Sequence, residues 1–359
     1  SSHPGVYWAP NLKPSNVCTN DELQLNDAAT RLKWILQHTM GAPRAFENRR
    51  QEVALLSGSP VESVDDNAVV ESFRACVEAG SDGLLLEYLL QSKLAVHLGS
   101  ALFVHAGLPR TKDGWRQGWV PAFGGGPERD DVPMTEWLQE LDRLRREALD
   151  SYVASLATSP KELAWSIVGG YDHEQPGSAL CQYCMRDLPG EKQQASVVYN
   201  GWLDGDYQPA QPDSATLDWL HEGGVSLVVS GHLPHGDSPL ILHHPGLFAV
   251  TADNSYAANT VWDGISQEDT MSPGRGDSTV YEVLISQNPE ESVVRGVLSS
   301  GQPYEALLSD EMLGRVTDDG WRVKGRASNG KVVLCRNTGF KFEGKLAETS
   351  EVKLQPGRP

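Results

Sequence analysis

The chain lacks any apolar stretch approaching the ~18–20 uninterrupted residues that a membrane-crossing helix needs. Its longest apolar runs, around Leu84–Leu90 and Ala101–Val104, are the size of core elements. It also lacks a surplus of positive charge: 30 Lys and Arg stand against 48 Asp and Glu, a net charge of −18. Phosphate backbones and anionic lipid surfaces are bound through clustered Lys and Arg, so neither nucleic acid nor membrane is an expected partner. The acidity leaves phosphorylated substrates open, because a bound divalent metal inverts the local field. Cysteine is scarce, with Cys18, Cys76, Cys181, Cys184 and Cys335 only. That number is odd and too small for a disulfide scaffold. Cys181-Gln-Tyr-Cys184 has no second pair or suitably spaced His nearby for zinc. It sits between Gly- and Pro-containing stretches, so a loop with incidental thiols is expected rather than a redox motif. No N-x-S/T sequon occurs, which favours a reducing, cytoplasmic setting. The opening Ser1-Ser2-His3-Pro4-Gly5 carries neither Met nor a basic-plus-apolar leader and reads as mid-domain sequence, so a fragment is expected.

What is present suits a globular α/β or α+β protein. The 359 residues can hold one large domain or two ordinary ones. The apolar content is 39%, and 35 Gly with 22 Pro imply many loops. From Asn26 the spacing predicts four consecutive helices to about residue 92, punctuated by Gly41-Ala42-Pro43, by Asp65 or Asp66 as a cap, and by Ser81-Asp82. Short apolar runs flanked by Gly then predict buried strands at Leu94–His97 and Leu102–Val104. Trp137, Leu138, Leu141, Leu144, Leu149, Tyr152 and Leu156 form one stripe of a long amphipathic helix. Asp213-Ser214 caps a helix that Gly223-Gly224 ends, and Val225–Val229 and Leu247–Thr251 follow as strands. His243-His244 falls on an expected turn between strands. Thr279–Ile285 and Ser292–Leu298 alternate like paired antiparallel strands. From about residue 301 to 359 the pattern reads as a small β-rich appendage and tail.

Two histidines share one context. Leu102-Phe103-Val104-His105-Ala106-Gly107 is a buried strand ending in His and small residues; Leu227-Val228-Val229-Ser230-Gly231-His232 is a similar strand with the small residues just before the His. Ligand sites of open α/β sheets gather beyond the carboxyl ends of the strands. Imidazole is a common transition-metal ligand, and two such positions could serve one ion.

These segments resemble those of the calcineurin-like metallophosphoesterases. Val104-His105-Ala106-Gly107-Leu108 is similar to that family's V-H-G-G-L segment, and Gly231-His232-Leu233-Pro234-His235-Gly236 to its G-H-T-P-x-G segment. Phe248–Tyr256 resembles the strand-Asp-turn closing the same sheet, with Asp253 expected to order that turn. Gly41–Phe46 and Arg49–Glu52 resemble a helical insertion of protist members, so the family domain would cover about residues 1–300, with the insertion at about 26–92. The resemblance implies a layered β-sandwich flanked by helices, incomplete at its N-terminus. It implies a phosphatase holding two divalent ions (Mn, Fe or Zn), with a metal-bridging hydroxide attacking the phosphorus of a phosphorylated small molecule or phosphoprotein. His105 and His232 map onto metal ligands, and His235 onto a proton donor near the leaving group. The family's D-x-H, G-D-x-x-D and G-N-[HR] motifs have no counterpart here: Asp204-Gly205-Asp206 follows the first His, and Asn48-Arg49 lacks the Gly. Paired ions ~3.5–4 Å apart need more than two imidazoles, so an incomplete centre is expected unless another segment or chain completes it. The rival expectation is a non-catalytic scaffold retaining half of the fold.

Overall fold

The computed structural model describes residues 27–39, 42, 44–77, 83–111, 113–158, 176–184, 195–199, 202–203, 208–253, 281–338 and 341–356. Cys18, Asp204-Gly205-Asp206 and the Asn254–Tyr256 end of the strand-Asp-turn lie outside them. The chain divides into two compact units, one of Ser1–Lys93, Arg143–Gln193 and Thr260–Ile265, the other of Leu94–Asp142, Gln194–Asn259 and Ser266–Pro359.

The described part of the first unit is helical, as the spacing predicts. Helices α1 (Ala28–Trp34), α2 (Ala45–Ser57), α3 (Asp66–Val77) and α4 (Leu84–Gln91) follow in order. Ala29, Leu36, Phe46, Ala54, Val64, Val69 and Val70, from α1 to α3 and the segments between them, form a shared core. Gly58 ends α2 in the left-handed conformation, φ 67°, and its N–H and the next donate back to Leu55 and Ala54 carbonyls. Arg50 ties α2 to α3 by pairing with both Glu47 (2.8 Å) and Asp66.

The second unit is built on two sheets. The first has strand order β1-β2-β5-β7-β6, with β1 at Ala95–Leu98, β2 at Ala101–Val104, β5 at Leu227–Ser230, β6 at Leu240–His244 and β7 at Leu247–Thr251. Its central strands β2, β5 and β7 are parallel, and β1 and β6 flank them antiparallel. Parallel neighbours need a crossover connection, and the chain between β2 and β5 supplies a small hairpin (β3, Arg110–Thr111; β4, Gly114–Trp115), the long helix α5 (Met134–Thr158), the short helix α6 (Ser178–Cys184) and α7 (Ser214–Glu222). Asp213 caps α7 by accepting from the Thr216 N–H at 2.8 Å, and Gly223 closes it against the Met134 side chain. Residues 134–142 of α5 belong to this unit, where Trp137 meets Trp219 edge-on at 5.3 Å.

The second sheet is antiparallel throughout, in the order β13-β12-β11-β10-β9-β8: β8 at Tyr281–Leu284, β9 at Val293–Val297, β10 at Pro303–Leu307, β11 at Arg322–Ala327, β12 at Val332–Thr338 and β13 at Lys341–Ala347. Both sheets line one core. Ala101, Leu227, Ile241 and Val250 from the first meet Val294, Tyr304, Ala306, Val323, Val332 and Leu334 from the second. The protein is thus a mixed α and β structure whose sheets face one another across shared side chains.

Three expectations are corrected. The break at residue 300 does not exist, because β10–β13 extend the sheet that β8 and β9 begin. His243 and His244 lie in strand β6 rather than on a turn, with Leu247 opposite His244. Cys181 and Cys184 lie on helix α6 rather than in a loop.

Candidate functional site

The strand-end geometry brings His105 and His232 together. His105 follows the last residue of β2, and His232 comes two residues after the last residue of β5, its parallel neighbour. The two chains meet where the Gly231 N–H donates to the His105 carbonyl at 2.7 Å. A Cβ at residue 231 would lie in ordinary contact with that carbonyl, 3.5 Å from the oxygen. His232 has φ 75°, a left-handed conformation that costs a non-glycine residue on the order of 1 kcal/mol. That backbone turn aims its ring at His105, with the centroids 5.3 Å apart and the planes tilted by 54°.

Two further residues attend the pair. Tyr199 meets the His232 ring edge-on at 5.0 Å. Its segment is held in place by the Ala106 N–H donating to the Val197 carbonyl at 2.7 Å. Sequence reasoning missed Tyr199, because nothing local marks it; only the pairing of 106 with 197 brings it near. Asp253, two residues past β7, acts on His105 electrostatically. Lost hydration lowers the His105 pKa, and the Asp253 carboxylate opposes that shift. The neutral imidazole that results is the form a metal ligand requires.

His235 goes elsewhere. It is 2% exposed, and its ring packs on Phe342 with centroids 4.8 Å apart. Its Nδ1 lies 3.3 Å from Lys324 Nζ, which also donates to the His235 carbonyl at 2.6 Å. Burial drives its pKa well down, and the Lys324 and Arg322 cations add to that. A proton donor to a leaving group must reach substrate and carry a proton; this ring is enclosed and held neutral.

The fit to a two-ion centre is incomplete. Among the described residues, no three His, Cys, Asp or Glu side chains are placed to hold a metal together. Two imidazoles by themselves would not satisfy a pair of ions. The cysteines on α6 offer no activated thiol. Burial pushes the Cys184 thiol, beside Cys181, up to about 12, and the surface thiol of Cys181 is raised as well. Among the described residues, no helix is long and apolar enough to cross a membrane. Comparison with protein-family models, with curated proteins and with solved structures finds no match to this chain.

Proposed function

We propose that the chain belongs to a metal-dependent phosphoesterase of the calcineurin-like type, a hydrolase of phosphate esters acting in the cytoplasm on a phosphorylated small molecule or phosphoprotein. The observation that carries the reading is the convergence of His105 and His232 at the ends of adjacent parallel strands, rings 5.3 Å apart. The V-H-A-G-L and G-H-L-P-H-G segments support it, because they deliver those two side chains to one place in the family's order. In this reading the pair holds part of a site for divalent ions (Mn, Fe or Zn), and the other ligands come from outside the described residues, in this chain or another.

A second reading has its own observation. Because no third ligand joins the two imidazoles among the described residues, a non-catalytic scaffold that keeps the strand-end histidines is the alternative. One experiment separates them. The purified chain is titrated with Mn²⁺ by calorimetry and assayed on p-nitrophenyl phosphate and a phosphopeptide. The phosphoesterase reading expects Mn²⁺-dependent turnover that falls at least about a hundredfold in His232→Ala. Neither metal binding nor turnover, in a chain that circular dichroism shows to be folded, favours the scaffold and leaves the phosphoesterase reading only the case in which another chain supplies the missing ligands.

A further inference from the structure

A lysine stands in the core of the second unit with no ion pair among the described residues, and the carboxylate that acts on it, Asp237, is itself hydrogen-bonded to Ser299. Lys324 is 1% exposed, and its Nζ has only His235 as a hydrogen-bond partner among the described residues, through the carbonyl at 2.6 Å and Nδ1 at 3.3 Å. Buried cations are ordinarily paired, and an unpaired one at this depth is retained against a large desolvation cost.

The backbone is shaped to put it there. Strand β11 bulges between Val323 and Gly325, so the register with β12 slips by one and Lys324 is the unpaired residue. The slip lets Val323 and Lys324, consecutive in sequence, both point away from water, at 2% and 1% exposure. Gly325 makes the bulge possible: its φ is 151°, and a Cβ there would lie 2.6 Å from the Tyr304 ring. The Tyr304 hydroxyl in turn donates to the Lys324 carbonyl at 2.5 Å, which fixes the bulge from the neighbouring strand. Gly236 serves the opposite wall. With φ 81°, and a hypothetical Cβ only 2.5 Å from Cys335 Sγ, it lets the loop after His235 lie flat on β12.

Beside this lysine is a cavity of ≈ 290 Å³. Leu298, Val333, Phe342 and Leu346 give it apolar walls, and Asp237, whose carboxylate is occupied by the Ser299 N–H and hydroxyl, stands at its edge. That volume is at the lower limit of small-molecule sites, enough for a compact apolar molecule. We propose that this cavity is a binding site for a small apolar aldehyde or ketone, which Lys324 captures as an imine. The neutral amine's lone pair adds to the carbonyl carbon; the carbonyl oxygen then leaves as water with both amine protons, and a C=N bond remains. No oxidant or reductant enters. His235, through its carbonyl at 2.6 Å and Nδ1 at 3.3 Å, holds the nitrogen in place.

The charge state agrees with that chemistry. Burial lowers the Lys324 pKa to about 7; Cys335 opposes the shift, the Arg322 cation adds to it, and Asp237 opposes it least. About half the Lys324 population is then a free amine at pH 7, against roughly one in 2,500 for an ordinary lysine. Lysines made nucleophilic by desolvation or a cationic neighbour are the usual imine formers.

The test uses the whole chain with benzaldehyde and sodium cyanoborohydride at pH 7, followed by peptide mass mapping of benzylated lysines. The site predicts benzylation of Lys324 at least about tenfold faster than exposed Lys353, with the advantage shrinking at pH 10, where free amines become general. Leu346→Trp, which fills the cavity from its wall, should remove most of the Lys324 labelling while circular dichroism stays unchanged. Lys324 left intact while Lys353 is labelled overturns the proposal. So does labelling that persists undiminished in Leu346→Trp, since the aldehyde would then not enter through the cavity.

Discussion

Two histidine-bearing places in one β-sandwich unit are set in opposite environments, three residues apart in sequence. His232 is half-exposed beyond a parallel strand, turned by a positive φ toward His105. His235 is sealed against Phe342 and Lys324. Parallel strands end in an open crevice, where side chains stay wet and can share a ligand. The antiparallel sheet, by contrast, reaches its buried polar group through a bulge, one residue out of register. Imidazole and amine chemistry is thus offered in two ways: as a pair open to solvent, and as a desolvated base beside a small cavity.

The comparison breaks most severely at the bulge. Gly325→Val would push a branched side chain into the Tyr304 ring at a φ that L-residues rarely adopt. A loss of about 3 kcal/mol or more is expected in urea unfolding. An equally stable Gly325→Val would mean that the bulge is soft and does not fix Lys324.

Next in size is a pH effect with a definite sign. Lys324 has a folded pKa of about 7, below that of an ordinary lysine, so between pH 7 and about 10 the unfolded chain binds more protons than the folded one. Stability should therefore rise across that window by something on the order of 2–4 kcal/mol, and the rise should vanish in Lys324→Met. Below pH 7 both states are protonated and this lysine contributes no slope. His244 works at the acid end. Burial, with His243 nearby, lowers its pKa to about 4, so stability should fall as pH drops from about 6.5 toward 4, and less so in His244→Gln. A flat profile from pH 7 to 10 would mean that Lys324 is protonated in the folded protein and is no amine nucleophile.

The first of these environments was legible in the sequence and the second was not. Leu102–Val104 and Val225–Val229, each followed by His within a run of small residues, announce strands and a ligand position by local pattern alone. The helices from 28 to 91 were legible for the same reason, through spacing, Gly41-Ala42-Pro43 and Asp65-Asp66. Lys324 was not, because a bulge is a relation between β11 and β12, and Trp321-Arg322-Val323-Lys324 alternates like any strand. Strand β6 was hidden by its two histidines and the Pro245-Gly246 turn beside them; burial of His244 against Trp202, stacked at 5.8 Å, overrides their polarity. The supposed appendage beyond residue 300 was a misreading of the same kind. Short strands with polar turns look autonomous until the core they share with Leu227 and Val250 is seen. His235 followed its motif and not its surroundings: the spacing G-H-x-x-H does not tell which way the third residue past His232 turns.

The smallest expected effect is the most informative about the open pair. Asp253 opposes the lowering of the His105 pKa that burial produces. Asp253→Asn removes the charge and keeps the shape, so His105 should titrate at lower pH than in the unaltered chain, while buried His244 should not move. The measurement is a proton–carbon NMR titration of the histidine rings, assigned through His105→Gln. A downward movement confined to His105 would establish that the carboxylate after β7 and the imidazole after β2 act at one place, as a shared ligand site requires. An unchanged His105 would separate them, leaving only two imidazoles at the strand ends and moving the balance toward the scaffold.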